Sequence, residues 1–221
     1  MARNASATAP ARAAGRRTGA TADSPRQRLL DVAGTLFYSE GVHVVGIDRI
    51  LEESGVAKAS LYSHFGSKDG LVREYLEAHF AQRRDAVATV LEAHDSPRER
   101  LVGLFDELTA ALKNPAFCGC RFINASAEAR PGESIQGVTN AYRAWLRGIF
   151  VDLAKKAGAS KPTLLGRQLA LLYDGAAVAA RLDRDRSAAA DAARSGAIAL
   201  IDAAISAGTG GAPRRRSTGA R

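Results

Sequence analysis

The clearest pattern of apolar and polar positions in the chain falls between residues 46 and 68, where two short helical patterns flank a turn. In the first pattern, Ile47, Ile50 and Leu51 recur at the spacing of one helix face. Gly55 follows them, and glycine allows the positive φ that a sharp helix-ending turn requires. The segment therefore predicts two short helices joined by a tight turn.

The second of these helices has one apolar seam, formed by Val56, Leu61 and Phe65, and one polar face. The polar face carries hydrogen-bond donors beside one small residue: Lys58, Ser60, Tyr62, Ser63 and His64, with Ala59. A helix with such a donor face suits a polyanion better than another helix. This is the arrangement of a helix-turn-helix recognition helix, which enters the DNA major groove while its partner helix crosses the phosphate backbone.

Helix start signals recur through the rest of the chain. Ser24 precedes Pro25 and Ser96 precedes Pro97, so that a capping residue stands before a proline in the first turn. The apolar residues that follow recur three or four positions apart, and no alternating run indicates a strand. The predicted fold class is all-α. The later predicted helices include residues 117–129, 164–182 and 187–207.

Residues 37 to 71 resemble the DNA-binding module of the TetR-type (tetracycline-repressor) family of regulators. Two positions depart from the family pattern: Gly46 stands where a threonine usually caps the second helix, and Ala57 where a serine or threonine caps the third. Alanine is a poor cap, by roughly 0.5–2 kcal/mol. The residues that carry the resemblance are Leu36, Phe37, Gly41, Ile47, Ile50, Gly55, Val56, Leu61, Tyr62, His64, Phe65, Ser67, Lys68 and Leu71.

The resemblance implies a division of labour on double-stranded operator DNA. Tyr62 and Lys68 would hold the phosphate backbone, while Lys58 and the serines of the same helix would face base edges. Phosphate contacts position a protein on DNA, and base contacts specify the sequence. The DNA-contacting residues predicted in this way are Gly46, Arg49, Lys58, Ala59, Ser60, Tyr62, Ser63, His64 and Lys68.

The resemblance also implies two domains: a three-helix head over residues 24–70, and an effector-binding and dimerisation domain over residues 71–207. The unknown effector would be a small molecule. The predicted pocket residues are Phe105, Leu108, Cys118, Cys120, Asn124, Tyr142 and Trp145. Aromatic residues such as Tyr142 and Trp145 are also common in cores, and the two cysteines suit a cavity wall or simple packing.

The last two predicted helices are crowded with Ala, Gly and Leu, which lets helix backbones approach closely. Two interpretations fit: an ordinary bundle core, or a four-helix interface between two copies of the chain, which the resemblance favours. A homodimer would place two heads to read successive major grooves. The predicted interface residues are Leu169, Leu172, Ala176, Ala180, Ala197, Leu200, Ile201 and Ala204.

The net charge of +8 sits mainly at the two ends of the chain. Residues 1–28 hold six arginines and one aspartate, and residues 208–221 hold four arginines. We expect a disordered basic arm over residues 1–23 and a disordered basic tail over residues 208–221. The arm is open to three interpretations: an arm that touches DNA phosphates, disorder without function, or an organellar transit peptide.

Cys118 and Cys120 are the only cysteines, and their spacing makes a structural disulfide improbable, which suits a reducing cytoplasm. They lack the spacing of a zinc site, so neither a metal nor a cofactor is expected. No apolar run is long enough for a membrane span. Because no catalytic triad, carboxylate pair or phosphate loop occurs, an enzyme is not expected.

The sequence thus predicts a homodimeric, cytoplasmic DNA-binding regulator, and the resemblance favours a repressor that a small molecule relieves. Two alternatives remain open. One is a thiol-based redox switch that acts through Cys118 and Cys120. The other is an architectural DNA-binding protein that uses its basic ends and does not switch.

Overall fold

A computed structural model describes residues 24–209 of the chain. The expectations for the arm at 1–23 and for the tail beyond residue 209 lie outside this range. Within it, every regular element is a helix, which confirms the all-α prediction. The helices are α1 (Pro25–Glu40), α2 (Ile47–Ser54), α3 (Lys58–Phe65), α4 (Lys68–Glu92), α5 (Pro97–Lys113), α6 (Arg121–Glu128), α7 (Ile135–Lys156), α8 (Pro162–Leu182) and α9 (Arg186–Thr209).

The predicted helix starts are confirmed by their caps. The Ser24 side chain accepts a hydrogen bond from the backbone N–H of Gln27, and Ser96 forms a reciprocal capping box with Glu99. At the start of α4, the Ser67 side chain accepts a hydrogen bond from the backbone N–H of Gly70. By contrast, α2 and α3 have no side-chain cap, as expected from Gly46 and Ala57. Local side-chain hydrogen bonds therefore mark the starts of α1, α4 and α5.

The head consists of α1, α2 and α3, closed by the first turns of α4. Its core includes Leu29, Ile50, Leu61 and Leu71, all fully buried. Between α2 and α3, Gly55 has φ 63, the left-handed conformation that the sequence predicts for the turn. The turn directs α3 across the end of α2, so that one face of α3 packs inward and the other is free.

The helix α4 continues from the head into the second domain, which we call the body (α5 to α9). With 25 residues it is about 37 Å long at 1.5 Å per residue. It packs against α1 and α3 at one end and against α5 and α7 at the other. Within the body, α8 packs between α7 and α9, and α5 lies against α9. A cluster of aromatic rings that includes Phe105, Phe122, Tyr142 and Phe150 fills the centre.

The predicted helix over residues 117–129 is wrong in its first turn, since α6 begins at Arg121. Pro115 and Gly119, whose φ is 102, keep the preceding segment irregular. There the N–H of Cys118 donates to the Tyr38 hydroxyl of α1 at 2.8 Å. This long-range hydrogen bond replaces the helical one, and no local pattern could have predicted it. The helix α9 runs to Thr209, slightly beyond the predicted end.

Of the helices between residues 24 and 209, none combines the length and apolar character that crossing a bilayer demands.

Candidate functional site

The exposed face of α3 brings together most of the predicted DNA-contacting residues. Leu61 and Phe65 are buried in the head, and this fixes the rotation of the helix. Tyr62 is 44% exposed. The exposed side chains beside it are Lys58, Ala59, Ser63 and His64, with Ser60 half-buried. The result is a donor surface on one side of α3, with buried apolar side chains on the other.

Two of the predicted basic contacts are engaged by carboxylates in the free protein. The Lys58 ammonium lies 3.3 Å from Asp48 Oδ1. Arg49 forms ion pairs with Glu40 and Glu53, and the hydrogen bond to Glu40 raises its pKa. Both side chains lie on the surface, where such pairs are weak. A DNA phosphate can therefore displace these carboxylates from Lys58 and Arg49. Arg49 would have to give up two ion pairs, and Lys58 only one.

Lys68 and Gly46 flank this surface in different ways. The Lys68 ammonium is half-buried and donates to the His43 carbonyl oxygen at 3.4 Å, and desolvation lowers its pKa. It therefore has a structural contact that the sequence did not predict. Gly46 is exposed at the start of α2 with open space above it. The uncapped N–H groups of that turn suit an anion such as a phosphate.

A set of contacts that sequence reasoning missed joins the head to the body. The carboxylate of Glu128, at the end of α6, accepts the backbone N–H of His43 at 2.8 Å. The His43 ring lies 3.2 Å from Glu133. On α4, Asp69 accepts hydrogen bonds from the N–H and hydroxyl of Ser134 at 3.1 and 3.0 Å. We call these contacts the head–body junction. Their partners lie far apart in the sequence, so no motif marks them.

A cavity of about 290 Å³ lies between the body, α4 and Tyr38 of α1, and we call it the internal cavity. Of the predicted pocket residues, Leu108, Cys120 and Tyr142 line it. Cys118 lines instead an adjoining groove of about 900 Å³ between α1 and α4. Asn124 lines a third depression, where its amide donates to the Cys118 carbonyl.

The remaining two predicted pocket residues do not line the internal cavity, and that part of the prediction is corrected. Phe105 is fully buried, with its ring against Phe150 and Tyr173. Trp145 packs on Phe80 with ring centroids 5.3 Å apart. Phe105 is a core residue and Trp145 is a partly buried ring packed against the core. Helical spacing alone does not distinguish a side chain that faces a cavity from one that faces another ring.

The polar groups of the internal cavity were also missed, because they come from four different helices. Arg83 forms a bidentate ion pair with Glu107 at 2.6 and 2.8 Å and donates to the Tyr173 hydroxyl. Asp174 is paired with Arg143 at 2.6 Å. Burial in this region lowers the pKa of His79 to about 4, so its ring is neutral at physiological pH.

The predicted dimer residues require a correction. Five of the eight are buried within a single protomer, so they cannot contact a partner: Leu169, Ala176, Ala180, Ala197 and Ile201. The other three, Leu172, Leu200 and Ala204, are partly buried against the same core. The small residues of α8 and α9 allow these helices to pack closely against other helices of the same chain. At Gly166, for example, an added Cβ would lie 2.4 Å from a Val151 methyl group.

The opposite face of α8 carries exposed apolar residues that the sequence did not single out. Leu164 is 50% exposed, Leu171 67%, Val178 40% and Leu182 75%. They are spaced at seven, seven and four residues, which places them in one stripe along the helix. We call this the α8 stripe. The helix α9, which packs against α8, also exposes small residues, namely Ala188, Ala192, Ser195, Ala199 and Ala203.

Comparisons with known proteins agree with this geometry. The family described as "Bacterial regulatory proteins, tetR family" matches residues 29–75, the head and the start of α4. The crystal structure of a TetR-family transcriptional regulator from Streptomyces coelicolor superposes with a TM-score of 0.78. It is 31% identical, over 82% of this chain and 96% of that chain.

Curated relatives match over the head and little more. The transcriptional repressor KstR2 of Mycolicibacterium smegmatis is 34% identical over 82 residues, 37% of this chain and 40% of its own length. The transcriptional activator FasR of the same species is 44% identical over 46 residues, 21% of each chain. The chain thus spans less than half the length of these two relatives. From its head and from the 31% identity to a solved TetR-family regulator over 82% of this chain, we conclude that the chain belongs to the TetR family of transcriptional regulators.

Proposed function

We propose that the protein is a homodimeric repressor that binds a palindromic operator through α3 and releases it when a small molecule occupies the internal cavity. The observation that carries the proposal is the exposed donor face of α3, held over the buried seam of Leu61 and Phe65. Such a helix fits the major groove and can offer side chains to phosphate and base edges together. A regulator of this kind performs no catalysis.

The α8 stripe supports the dimer. Four exposed aliphatic side chains in one line form an apolar patch of the kind that marks protein–protein interfaces. The small exposed residues of α9 beside it allow a second copy of the two helices to approach closely. Packing two such pairs about a two-fold axis buries both stripes and gives a four-helix interface. Two heads about 34–36 Å apart would then read half-sites one helical turn apart.

The position of the internal cavity supports control by a ligand. Its wall includes Tyr38, which belongs to α1 of the head, and residues of α4, α6 and α8. The helix α6 also ends at Glu128, which holds the head through the His43 N–H. A ligand that binds one arrangement of these helices better than another shifts the orientation of the head. The two heads would then no longer match the half-site spacing.

The redox alternative is less well supported. Both cysteines are free thiols. Burial raises the pKa of the Cys120 thiol, which reduces the thiolate that oxidants attack. The architectural alternative depends on basic ends that lie outside the described residues. A cavity with an approach to the head has no use in a protein that does not switch, so ligand control is the better proposal.

A gel-shift titration against the DNA upstream of the protein's own gene tests the proposal. The variant Tyr62→Ala, Ser63→Ala alters the exposed face of α3, and Arg84→Ala alters an exposed residue of α4 as a matched control. We expect the parent and the α4 variant to shift the DNA and the α3 variant to lose most of its affinity, with unchanged circular dichroism. Equal binding by all three would show that α3 does not contact DNA.

A further inference from the structure

We propose that the internal cavity binds the carboxylate of a compact, apolar-bodied organic acid, with Arg121 and Tyr142 as the groups that recognise it. The proposal rests on the proposed function, in which this cavity holds the effector, and assigns its chemical class. At about 290 Å³ the cavity is near the lower end of small-molecule sites, roughly 300–1,000 Å³, so a compact ligand fits.

The charges that surround the cavity single out Arg121. Arg83 is neutralised by Glu107, and Asp174, which lines the cavity, is neutralised by Arg143. His79 is neutral at physiological pH because burial lowers its pKa. Arg121 differs, since no carboxylate among residues 24–209 lies within ion-pair distance of it. A half-buried guanidinium without a counter-ion is a site for an anion.

The neighbours of Arg121 are neutral rings. Its guanidinium lies 3.8 Å from the centroid of the Tyr38 ring and near the Tyr75 hydroxyl. A cation over an aromatic face is stabilised, but it keeps most of its N–H donors. Arg121 lines both the internal cavity and the groove, so it lies in the wall that the two share. Of the three groove carboxylates, Glu74 and Glu77 have arginine partners, Arg26 and Arg73, and Asp31 accepts a hydrogen bond from the Gln27 amide at 2.9 Å.

A second group in the cavity, the Tyr142 hydroxyl, is also available to an acceptor atom of a ligand. The Tyr142 side chain is 97% buried, given its 3% exposure, and lines the cavity. Within the described part of the chain its hydroxyl makes no hydrogen bond, and burial raises its pKa so that it stays protonated. Among the described residues the hydroxyl oxygen is not one of the fully buried atoms that lack a partner, so it is open to the cavity and available to a ligand. The Tyr38 hydroxyl accepts from the Cys118 N–H, and its proton is free to donate.

The unused groups of the cavity are therefore donors: a forked guanidinium and two phenolic hydroxyls. A carboxylate offers two acceptor oxygens in the plane that an arginine fork matches. The rest of the wall is apolar and includes Leu108, Ala111, Phe117 and Ala177. An acid with a short hydrocarbon or aromatic body satisfies both parts of the surface. A neutral or cationic ligand would leave Arg121 without a counter-ion.

Calorimetric titration of the full-length protein tests this assignment. The probes are benzoate, octanoate and 1-naphthoate, each paired with its primary amide, which keeps the body and removes the charge. We expect at least one acid to bind and its amide to bind roughly 10- to 100-fold more weakly, the usual effect of losing a charge-assisted hydrogen bond. Failure of all three acids to bind the parent, or equal binding of acid and amide, would overturn the proposal.

Two variants and one control locate the site. Arg121→Gln removes the charge, and Tyr142→Phe removes a single hydroxyl and keeps the stacked ring. Arg84→Gln, on the exposed face of α4, is the matched control. The first two should weaken acid binding more than amide binding, since the amide keeps one acceptor oxygen but lacks the charge, and the control should bind both like the parent. If both cavity variants fold by circular dichroism and bind the acid like the parent, Arg121 and Tyr142 do not form the site.

The same proteins distinguish this inference from the proposed function. A gel shift without ligand reports operator binding alone, and neither cavity variant changes α3. If the parent fails to bind DNA, the proposed function is wrong, while the calorimetric result still decides whether the cavity binds an acid.

Discussion

The recognition helix α3 and the penultimate helix α8 show how the same kind of pattern can be decisive in one region and ambiguous in another. In α3 the apolar residues Leu61 and Phe65 occupy one side and polar donors the other, and only the apolar side is buried. In α8 apolar or small residues occupy both sides. One side packs in the protomer, with Leu169 and Ala176 buried, and the other side exposes the α8 stripe.

The difference teaches what hydrophobic periodicity can specify. Where one face is polar, burial of the other follows directly, because an unpaired polar group is costly to bury. Where both faces are apolar, the pattern predicts that both are buried. It does not say which face packs within the protomer and which packs against a second copy. The four predictions below test this contrast, and they are ordered from the largest expected effect to the smallest.

The largest effect should come from a charge on the inner face of α8. Ala176→Glu places a carboxylate in the core of the protomer without a partner, which should cost about 3–5 kcal/mol. We expect loss of the cooperative thermal transition or a large fall in melting temperature. A variant that stays folded and becomes a monomer would show instead that this face lies between two copies, as the sequence alone had predicted.

The same charge on the outer face should separate the protomers without unfolding them. Leu171→Glu lies in the α8 stripe, 67% exposed in the protomer, so the fold tolerates the carboxylate. We expect a monomer by light scattering with unchanged helical content. Operator affinity should fall on the order of 100-fold, because the second half-site no longer binds intramolecularly. A parent that is already monomeric would rule out this interface.

A backbone substitution in the head should have a smaller effect. Gly55→Ala puts a Cβ on a residue with φ 63, and its surroundings are open, so only the backbone strain counts. We expect a loss of roughly 1–2 kcal/mol in the free energy of unfolding. Gly137→Ala in α7 is the matched control, since it is also unobstructed but helical, and it should stabilise by roughly 0.5–1 kcal/mol. Denaturant titrations that give both variants the same sign would contradict the role of the left-handed turn.

The smallest effect should come from one atom on the outer face of α3. Tyr62→Phe removes a donor to phosphate and keeps the ring. Operator binding should weaken by roughly 0.5–1.5 kcal/mol, the value of an ordinary hydrogen bond, with base preference unchanged. Selection from a random DNA pool measures both quantities. An altered preferred sequence would mean that Tyr62 reads a base edge.

The sequence by itself determined the head, because its information is local. The caps at Ser24 and Ser67, the left-handed Gly55 and the polar face of α3 each depend on neighbours within a few residues. The predicted DNA-contacting residues rest on that pattern together with the family resemblance, and they remain predictions about DNA. The structure adds one contact that was not predicted: the Lys68 ammonium donates a hydrogen bond to the His43 carbonyl oxygen.

The functional features of the body could be seen only in the tertiary structure. The internal cavity, the head–body junction and the face of α8 that remains exposed depend on side chains that meet across long separations, such as Tyr38 with Cys118 and His43 with Glu128. Helical periodicity gives the angle of a side chain about its own axis, but not the neighbour that it meets. In helices built of Ala, Gly and Leu, close packing within the chain and association with a second copy require the same residue types. Only the arrangement of the other helices determines which side is already occupied.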